Sequence, residues 1–292
     1  MEDSIKQQAQ RQFAKNAAKY VTSPGHAAGE DLAYLISASG AEKHMDVLDI
    51  ATGGGHTANA LAPLVRSVIA YDLTEEMLAA AEAFITGNGW TNVSFEKGDA
   101  EKMPFSDAAF DIVTCRIAAH HFPDVRAFVH EAFRVVKPGG RLLLIDNTAP
   151  EKDEYDHFYN DIEKKRDQSY FRAWKKTEWL SFLETAGFRI ESAVCFLKPF
   201  QFTVWCERAS LTEEKAALLE KQMLDAPCDI QRFFSVEKDQ SGRIAGFTGE
   251  SACFCALRPV WTKKPLCSFP ARGFFVLTVL DLRNNSGSDI FR

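Results

Sequence analysis

The stretch that decides the fold is Val47-Leu48-Asp49-Ile50-Ala51-Thr52-Gly53-Gly54-Gly55-His56-Thr57. Its apolar and small residues predict a buried strand, three glycines follow directly, and residues 57–62 have the composition of a helix start. Glycine allows the sharp reversal that such a turn needs and lets backbone N–H groups approach a ligand closely. A strand, a glycine turn and a helix in this order predict a nucleotide-like ligand at the carboxyl edge of a parallel sheet.

The rest of the chain repeats this alternation of strands and helices. Nearly continuous apolar runs predict four more strands, at residues 68–72, 93–96, 110–115 and 141–146. Helices are expected at residues 4–20, 26–37, 74–86, 124–136, 151–170, 176–186 and 211–224, with Thr74 as an N-cap, and later strands at 188–196, 233–236 and 251–257. Such alternation is typical of an α/β fold in which helices cover both faces of a parallel sheet.

Composition and charge exclude several classes of protein. The 292 residues fit one large α/β domain with a small additional lobe, and the net charge of −6 disfavours a nucleic-acid partner. No run approaches the roughly 18–20 apolar residues of a membrane span, and the polar residues 1–16 do not resemble a signal peptide. The seven scattered cysteines predict reduced thiols, and therefore a cytoplasmic protein without membrane insertion.

The glycine turn leaves two classes of ligand open. Gly53, Gly55 and the acid Asp72 fit a dinucleotide fingerprint, so an NAD-dependent oxidoreductase is one alternative. Asp49 argues against it, because its carboxylate at the end of the first strand would repel a pyrophosphate. A ligand with an amino group and a sulfonium would be attracted instead, which favours a cationic adenosyl ligand.

Four motifs in register resemble the class I S-adenosylmethionine-dependent methyltransferases. They are the glycine-rich motif at residues 47–56, Tyr71–Leu78, Gly98–Phe105 followed by Phe110-Asp111, and the turn Arg134–Leu142 into the fifth strand. The resemblance covers residues 40–200 well. It is most evident for the small-molecule branch that includes the ubiquinone/menaquinone-biosynthesis C-methyltransferases.

The resemblance implies an architecture as well as a fold class. We expect a doubly wound α/β sheet of seven strands in the order 3-2-1-4-5-7-6, with strand 7 antiparallel. Residues 1–40 would form N-terminal cap helices and residues 41–260 a Rossmann-like methyltransferase domain, with a helical lid insertion at about 150–180. Residues 261–292 have no counterpart in the family, and we expect this atypical tail to be loosely packed.

The resemblance also implies the binding of S-adenosylmethionine. Asp49 and the glycine backbone would hold the methionine moiety, Asp72 the ribose hydroxyls, Asp99 the adenine amino group, and Arg116 would lie near the methyl group. The implied set of cofactor-binding residues is Asp49, Ala51, Gly53, Gly55, Asp72, Leu73, Met77, Asp99, Ala100 and Arg116.

Two adjacent histidines, His120 and His121, follow the fourth strand, where the methyl acceptor should arrive. An unperturbed histidine pKa of about 6.5 suits proton removal near neutral pH, so one of them is a candidate catalytic base. The alternative is a hydrogen-bonded histidine without a catalytic part. The other histidines lie too far apart in sequence to indicate a metal site, and none is expected.

Aromatic residues outside the motifs suggest where the acceptor binds. Tyr20, Tyr155, Tyr159 and Trp174 are expected to wall an apolar or aromatic acceptor site, with Phe13 and Tyr20 as lid residues. Ordinary packing of the lid, or a dimer contact, is the alternative.

The function that the sequence predicts is methyl transfer from S-adenosylmethionine to a small-molecule acceptor. C- or O-methylation of a quinone-like or aromatic compound is expected, by a monomer or homodimer. A catalytically silent S-adenosylmethionine-binding regulatory module is the alternative from another class. The amine-gripping Asn/Asp-Pro-Pro-Tyr/Phe motif of DNA methyltransferases is absent after the fourth strand.

Overall fold

The structure is a computed structural model that describes residues 2–21 and 29–260. The helices are α1 (Glu2–Val21), α2 (Glu30–Ser39), α3 (His56–Leu61), α4 (Glu75–Gly87), α5 (Val125–Val135), α6 (Asp153–Arg166), α7 (Lys176–Ala186), α8 (Phe202–Arg208), α9 (Glu213–Leu224) and α10 (Cys228–Phe233). The strands are β1 (Asp46–Ile50), β2 (Ser67–Asp72), β3 (Val93–Lys97), β4 (Phe110–Arg116), β5 (Val136–Ala149), β6 (Trp174–Lys175), β7 (Arg189–Gln201), β8 (Glu237–Lys238) and β9 (Ile244–Leu257). The expected helix start at residue 26 and the expected tail at 261–292 lie outside the described residues.

One sheet organises the fold, with its strands in the order β3-β2-β1-β4-β5-β9-β7. Strands β1 to β5 are parallel, and β9 is antiparallel to both β5 and β7. Counted without the two-residue strands β6 and β8, this is the expected order 3-2-1-4-5-7-6, so the α/β prediction is confirmed. The strands β6 and β8 pair with β5 and β9 and were not predicted, because two residues show no periodicity.

The parallel strands are apolar because both of their faces are buried. Alternate residues point to opposite faces. On one face Leu48, Val113 and Leu144 belong to a core shared with α5 and α7. On the other face residues such as Leu143 pack into a second core with α2, α3 and α4. A third core joins α6 to α8, α9 and α10 around Trp205.

Several boundaries differ from those expected. The predicted strand at residues 233–236 is wrong, because Phe233 ends α10 and Phe234 packs into the third core. The turn expected at residues 137–140 lies inside β5, where the register against β4 shifts. A Cβ on Gly140 would lie 2.5 Å from the Asp111 carbonyl oxygen, so this bulge requires glycine.

Capping at the sheet edge also differs from expectation. Thr74 occupies the N-cap position of α4, but its side chain makes no capping hydrogen bond. Instead the Asp72 carboxylate accepts a hydrogen bond of 2.9 Å from the Thr74 backbone N–H. Asp124 does cap α5, accepting from the Ala127 backbone N–H at 2.9 Å. Asp72 is therefore tied both to the sheet and to the helix that follows it.

Within the ranges described, no helix combines the length and the apolarity that crossing a membrane requires.

Candidate active site

A cavity of about 1070 Å³, counting the space that is open to solvent, lies at the carboxyl ends of β1, β2 and β4, and α1 contributes to its lining. Nearly all of the predicted cofactor-binding residues line it: Asp49, Ala51, Gly53, Asp72, Leu73, Met77, Asp99, Ala100 and Arg116. The exception is Gly55, at the start of α3. A Cβ there would lie 2.9 Å from Ile85 Cδ1 and 3.0 Å from Ala81 Cβ, so Gly55 lets α4 pack closely.

The turn after β1 is held in an unusual backbone conformation. Gly53 has φ +55°, which glycine adopts without strain, whereas Ala51 has φ +51°, which is unfavourable for a residue with a Cβ. Two backbone hydrogen bonds fix the turn. The Thr52 N–H donates to the Tyr71 carbonyl at 3.0 Å, and the Gly55 N–H donates to the Thr52 carbonyl at 2.9 Å. The backbone bordering the cavity is therefore preorganised.

Asp49 is buried beneath this turn, with 1% of its surface exposed. Its Oδ1 accepts a hydrogen bond from Thr114 Oγ1 at 2.7 Å, and its Oδ2 accepts one from Thr52 Oγ1 at 2.6 Å. Burial raises the pKa of Asp49 to about 6, although both hydroxyls favour the charged form. The carboxylate is thus mostly ionised at neutral pH, and a cation in the cavity would stabilise it further.

Asp72 joins the end of β2 to the glycine turn. Its Oδ2 accepts a hydrogen bond from the Gly53 backbone N–H at 3.0 Å, while Oδ1 accepts from Thr74. Burial raises the pKa of Asp72 above its ordinary value. Each carboxylate oxygen has a second lone pair, so Asp72 can still accept hydrogen bonds from ligand hydroxyls.

Asp99 is linked to the N-terminal helix, which the sequence did not indicate. Lys6 Nζ on α1 lies 2.7 Å from Asp99 Oδ2 and 2.5 Å from Glu101 Oε2. Farther along α1, Gln10 Nε2 donates to the Leu73 carbonyl at 3.1 Å. The Phe13 ring, a predicted lid residue, meets the His121 ring edge-on with centroids 4.9 Å apart. Helix α1 thus borders the cavity along its length.

Arg116 lines the cavity at the end of β4, and α2 supplies its counter-ion. Its Nε and Nη2 donate to Asp31 at 2.9 and 3.0 Å, and both side chains are nearly buried. Burial alone would raise the pKa of Asp31, but the hydrogen bonds and charge of Arg116 lower it below its usual range. This bidentate pair fixes the guanidinium between α2 and the cavity.

The two histidines have different surroundings. His120 is buried and does not line the cavity, and its Nδ1 lies 2.5 Å from Asp146 Oδ1. His121 lines the cavity, and its Nδ1 lies 3.0 Å from the Ser169 carbonyl oxygen. Since a carbonyl only accepts, Nδ1 carries the proton and Nε2 of His121 is left as an acceptor.

Burial, and then the neighbouring His120, lower the pKa of His121 to about 4. The ordinary histidine pKa of about 6.5 therefore does not apply to His121. This imidazole is neutral at physiological pH and a weak base, so it is better suited to accepting a hydrogen bond than to removing a proton on its own.

Three of the residues predicted to wall the acceptor site, Tyr155, Tyr159 and Trp174, do not line this cavity. Tyr159 is buried and stacks on Phe234, with ring centroids 5.8 Å apart, and Tyr155 donates to Asp229 at 2.9 Å. Both tyrosines line a separate cavity beside residues 233–235. Trp174 packs on α7, while the side chain of Tyr20 lies outside the described residues. The reason is that α6 and residues 202–236 share a core of their own.

Sequence reasoning missed Lys6, Asp31, Thr52 and Thr114. Of these four residues, Thr52 alone could have been found from the sequence, because its hydroxyl lies close after the buried strand that carries Asp49. The partners of Lys6 and Asp31 lie 93 and 85 residues away along the chain, which leaves no local pattern.

The comparisons with known proteins show the family of the chain. A family model described as a methyltransferase domain matches residues 48–144. The chain is 36% identical over 235 residues to the uncharacterized methyltransferase YcgJ of Bacillus subtilis (strain 168), covering 80% of this chain and 93% of YcgJ. It is 33% identical over 131 residues to the ubiquinone/menaquinone biosynthesis C-methyltransferase UbiE of Proteus mirabilis (strain HI4320), covering 44% of this chain and 52% of UbiE.

A solved structure shows the same similarity. The crystal structure of a methyltransferase candidate from Bacillus halodurans C-125 has 51% identity and a TM-score of 0.78, covering 80% of this chain and all of that one. The sheet order, the glycine turn and these similarities agree. The chain belongs to the class I S-adenosylmethionine-dependent methyltransferases, and S-adenosylmethionine is its cofactor.

Proposed function

We propose that the chain transfers the methyl group of S-adenosylmethionine to a small-molecule acceptor. The observation that carries the proposal is the lining of the cavity, to which α1 contributes. Beyond the cofactor residues it is lined by Phe13, Ala118, Phe122 and Pro123, which suits a partly apolar compound. The similarity to UbiE supports C-methylation of a quinone-like or aromatic compound, with O-methylation as the other possibility.

The residues of the cavity fit the cofactor. Asp49 offers a buried carboxylate to the amino group and sulfonium of the methionine end, beside the backbone of Ala51 and Gly53. Asp72 retains free lone pairs for the ribose hydroxyls. Asp99 would accept from the adenine amino group, and the apolar side chains of Leu73 and Met77 would flank the ring. We propose these roles together because all of these residues line one cavity.

S-adenosylmethionine supplies a methyl group that is already activated for transfer. The chain's own contribution is then to align the acceptor and exclude water. Nε2 of His121 would accept a hydrogen bond from the acceptor and orient it. His120 would act as a positioning residue, because its contact with Asp146 holds the turn that carries His121.

We propose the division of the chain expected from sequence, with cap helices at 1–40, the methyltransferase domain at 41–260 with its lid at about 150–180, and a separate tail at 261–292. The third core, which α6 shares with residues 202–236, supports the lid. The cysteines described are free, which supports a cytoplasmic location. A monomer or homodimer remains our expectation.

A metabolite screen tests this function. The purified protein is incubated with isotope-labelled S-adenosylmethionine and a small-molecule extract, and labelled products are identified by mass spectrometry. We expect a labelled small molecule that is absent with Asp72→Ala, which should bind the cofactor poorly. Labelling of nucleic acid or protein alone, or of nothing despite tight binding of S-adenosylhomocysteine, would contradict the proposal; the last outcome would favour the silent regulatory module.

A further inference from the structure

The turn that follows α6 contacts both histidines at the end of β4. The His120 carbonyl oxygen accepts hydrogen bonds from the backbone N–H groups of Phe171 and Arg172, at 2.9 and 3.0 Å. Nδ1 of His121 lies 3.0 Å from the Ser169 carbonyl oxygen and 3.3 Å from the Ser169 Oγ. The same turn therefore holds the backbone of one histidine and the ring of the other.

Asp167 determines where the hydroxyl hydrogen of Ser169 points. Asp167 Oδ1 accepts a hydrogen bond from the Ser169 Oγ at 2.6 Å and a second one from the Ser169 backbone N–H at 2.8 Å. Burial alone would raise the pKa of Asp167, but the His121 ring and the hydrogen bonds from Ser169 lower it below its usual range. Because an ionised carboxylate only accepts, the single hydroxyl hydrogen of Ser169 is directed to Asp167, and the Oγ offers His121 a lone pair.

Nδ1 of His121 therefore faces two acceptors, the Ser169 carbonyl oxygen and the Ser169 Oγ. The hydrogen bond made by one ring nitrogen decides which nitrogen carries the proton of a neutral imidazole. Here the proton lies on Nδ1, and the lone pair lies on Nε2 of a ring that lines the cofactor cavity. Without Asp167 the Ser169 hydroxyl could rotate and donate to Nδ1, and Nε2 would then carry the proton.

The tripeptide Asp-Gln-Ser that forms this turn occurs a second time, at residues 239–241 after β8. There Asp239 Oδ1 accepts from the backbone N–H and the Oγ of Ser241, at 2.8 and 2.7 Å, so the local hydrogen bonds are nearly the same. Asp239 and Ser241 are exposed, whereas Asp167 and Ser169 are only 5% and 1% exposed. The turn therefore forms without burial, and the two copies differ in whether a histidine ring lies against the serine.

We propose that Asp167 is a positioning residue, which acts through the Ser169 hydroxyl to keep the proton of His121 on Nδ1 and so presents the Nε2 lone pair to the methyl acceptor. This inference rests on the proposed function, in which that lone pair orients the acceptor. Asp167 directly follows α6, so the lid helix ends at the residue that controls the ring. The sequence did not indicate this connection, because Ser169 lies 48 residues from His121 along the chain.

Nitrogen NMR of the histidine rings tests the position of the proton. The full-length protein, with isotope-labelled histidine, is saturated with S-adenosylhomocysteine and measured at pH 7, and the His121 signals are those that His121→Gln removes. The variants are Asp167→Ala, Asp167→Asn, and Asp167→Ala combined with Ser169→Ala. Asp167→Val is a second disrupting variant, because valine suits the extended backbone at this residue. The matched control is Asp239→Ala, which removes the same hydrogen bonds from the exposed copy of the turn.

We expect the wild type and Asp239→Ala to carry the His121 proton on Nδ1. Asp167→Asn should keep it there, because the amide oxygen still accepts from Ser169. Asp167→Ala and Asp167→Val should move the proton to Nε2 in about half of the molecules, since the freed hydroxyl then competes with the carbonyl by a hydrogen bond of similar strength. The double variant has no hydroxyl left to donate, so the proton should return to Nδ1.

Turnover with the acceptor found in the metabolite screen should fall by about the fraction of His121 that changes form. It should recover in the double variant, and the affinity for S-adenosylhomocysteine should stay unchanged throughout. A proton on Nε2 in the wild type, an unmoved proton in both disrupting variants, or no recovery in the double variant would overturn the inference. A lower melting temperature alone, with the proton unmoved, would likewise reduce Asp167 to a structural residue. The NMR measurement needs no acceptor, so a screen without a labelled small molecule would overturn the proposed function and leave the control of the ring by Asp167 to be judged separately.

Discussion

At the scale of single residues, the buried charge of Asp49 is unfavourable for folding. Burial raises its pKa to about 6 in the folded protein, against 3.8 for an unperturbed carboxyl. Because the pKa of Asp49 is higher in the folded protein, Asp49 ionises at a lower pH in the unfolded chain than in the folded one. The free energy of unfolding therefore falls as pH rises from about 4 to 6. The shift corresponds to about 3 kcal/mol above pH 6. Such a carboxylate suggests selection for binding rather than for stability.

We therefore predict that Asp49→Asn stabilises the free protein at pH 7, by about 1–3 kcal/mol. Asparagine keeps a side chain of the same shape but removes the buried charge. Urea unfolding at pH 7 and pH 4 measures the effect, which should disappear at pH 4, where wild-type Asp49 is protonated in the folded state. Asp161→Asn, on the exposed face of α6, is the matched control. Lower stability of Asp49→Asn at pH 7 would show that this pKa argument is wrong.

The two histidines should respond differently to alanine. His120→Ala removes the charged partner of the buried Asp146 carboxylate and leaves it the Asn147 backbone N–H as a donor, so we predict a loss of about 3–5 kcal/mol of stability and a lower melting temperature. His121→Ala should change stability less and reduce kcat at least tenfold with the acceptor found in the metabolite screen, leaving the affinity for S-adenosylhomocysteine unchanged. Near-normal turnover of His121→Ala would show that His121 does not orient the acceptor.

At the scale of secondary structure elements, α1 packs against α4 and reaches the cavity through polar side chains. Lys6 is paired with Asp99 and Glu101, and Gln10 is bonded to the Leu73 carbonyl. Ala9 and Ala17 are the buried apolar residues of this helix among those whose side chains are described. Because Ala9 and Ala17 are small, opening of α1 would expose little of the buried apolar surface described for this helix.

We predict that Lys6→Ala loosens α1 without unfolding the domain. The variant should be cleaved faster by trypsin at Arg11 and should release S-adenosylhomocysteine several-fold faster, at an almost unchanged melting temperature. The control is Lys43→Ala, which replaces an exposed lysine before β1 and so also removes one tryptic site and one positive charge. Unchanged cleavage and release would mean that Lys6 does not hold the helix.

The elements that were predicted correctly have strong local patterns. The apolar runs of β1 to β5, and Gly187 at the end of α7, are visible in the sequence because burial and backbone conformation are local demands. The strand predicted at residues 233–236 was wrong because four apolar or small residues fit a strand or a helix end equally well. The ion pairs of Lys6 and Arg116 depend on tertiary contacts, and no reading of one segment shows them. Gly55 shows a further limit. Its place in the glycine motif indicates that another group approaches the backbone closely, but not whether that group is a ligand or α4.

At the scale of the whole molecule, Arg258 closes the described fold. It follows β9, and its Nη1 donates to the carbonyls of Phe133, Arg134 and Val136 at 2.9, 2.9 and 2.6 Å. Its own backbone pairs with Gly139 and Gly140 in the bulge of β5. The end of α5, the start of β5 and the end of β9 are thereby joined at one point.

We predict that ending the chain after Val260 leaves the melting temperature within about 3 °C of the full-length value, with unchanged affinity for S-adenosylhomocysteine. Arg258→Met should lower the melting temperature of both forms by several degrees, because three carbonyls lose a charged donor. Thermal unfolding of the four proteins provides the comparison. A large loss on truncation alone would show that residues 261–292 stabilise the domain.

The central claim is that the Asp49 carboxylate selects the cationic adenosyl cofactor. Calorimetric titration of S-adenosylmethionine into the wild type and Asp49→Asn between pH 5 and pH 8 tests it most directly, with NAD as the comparison ligand. We predict that wild-type affinity is level above pH 6 and falls up to tenfold per pH unit below it, as Asp49 becomes protonated. Asp49→Asn should bind weakly and lack this step, and NAD should not compete. Equal affinity of the two proteins across the range would contradict the account.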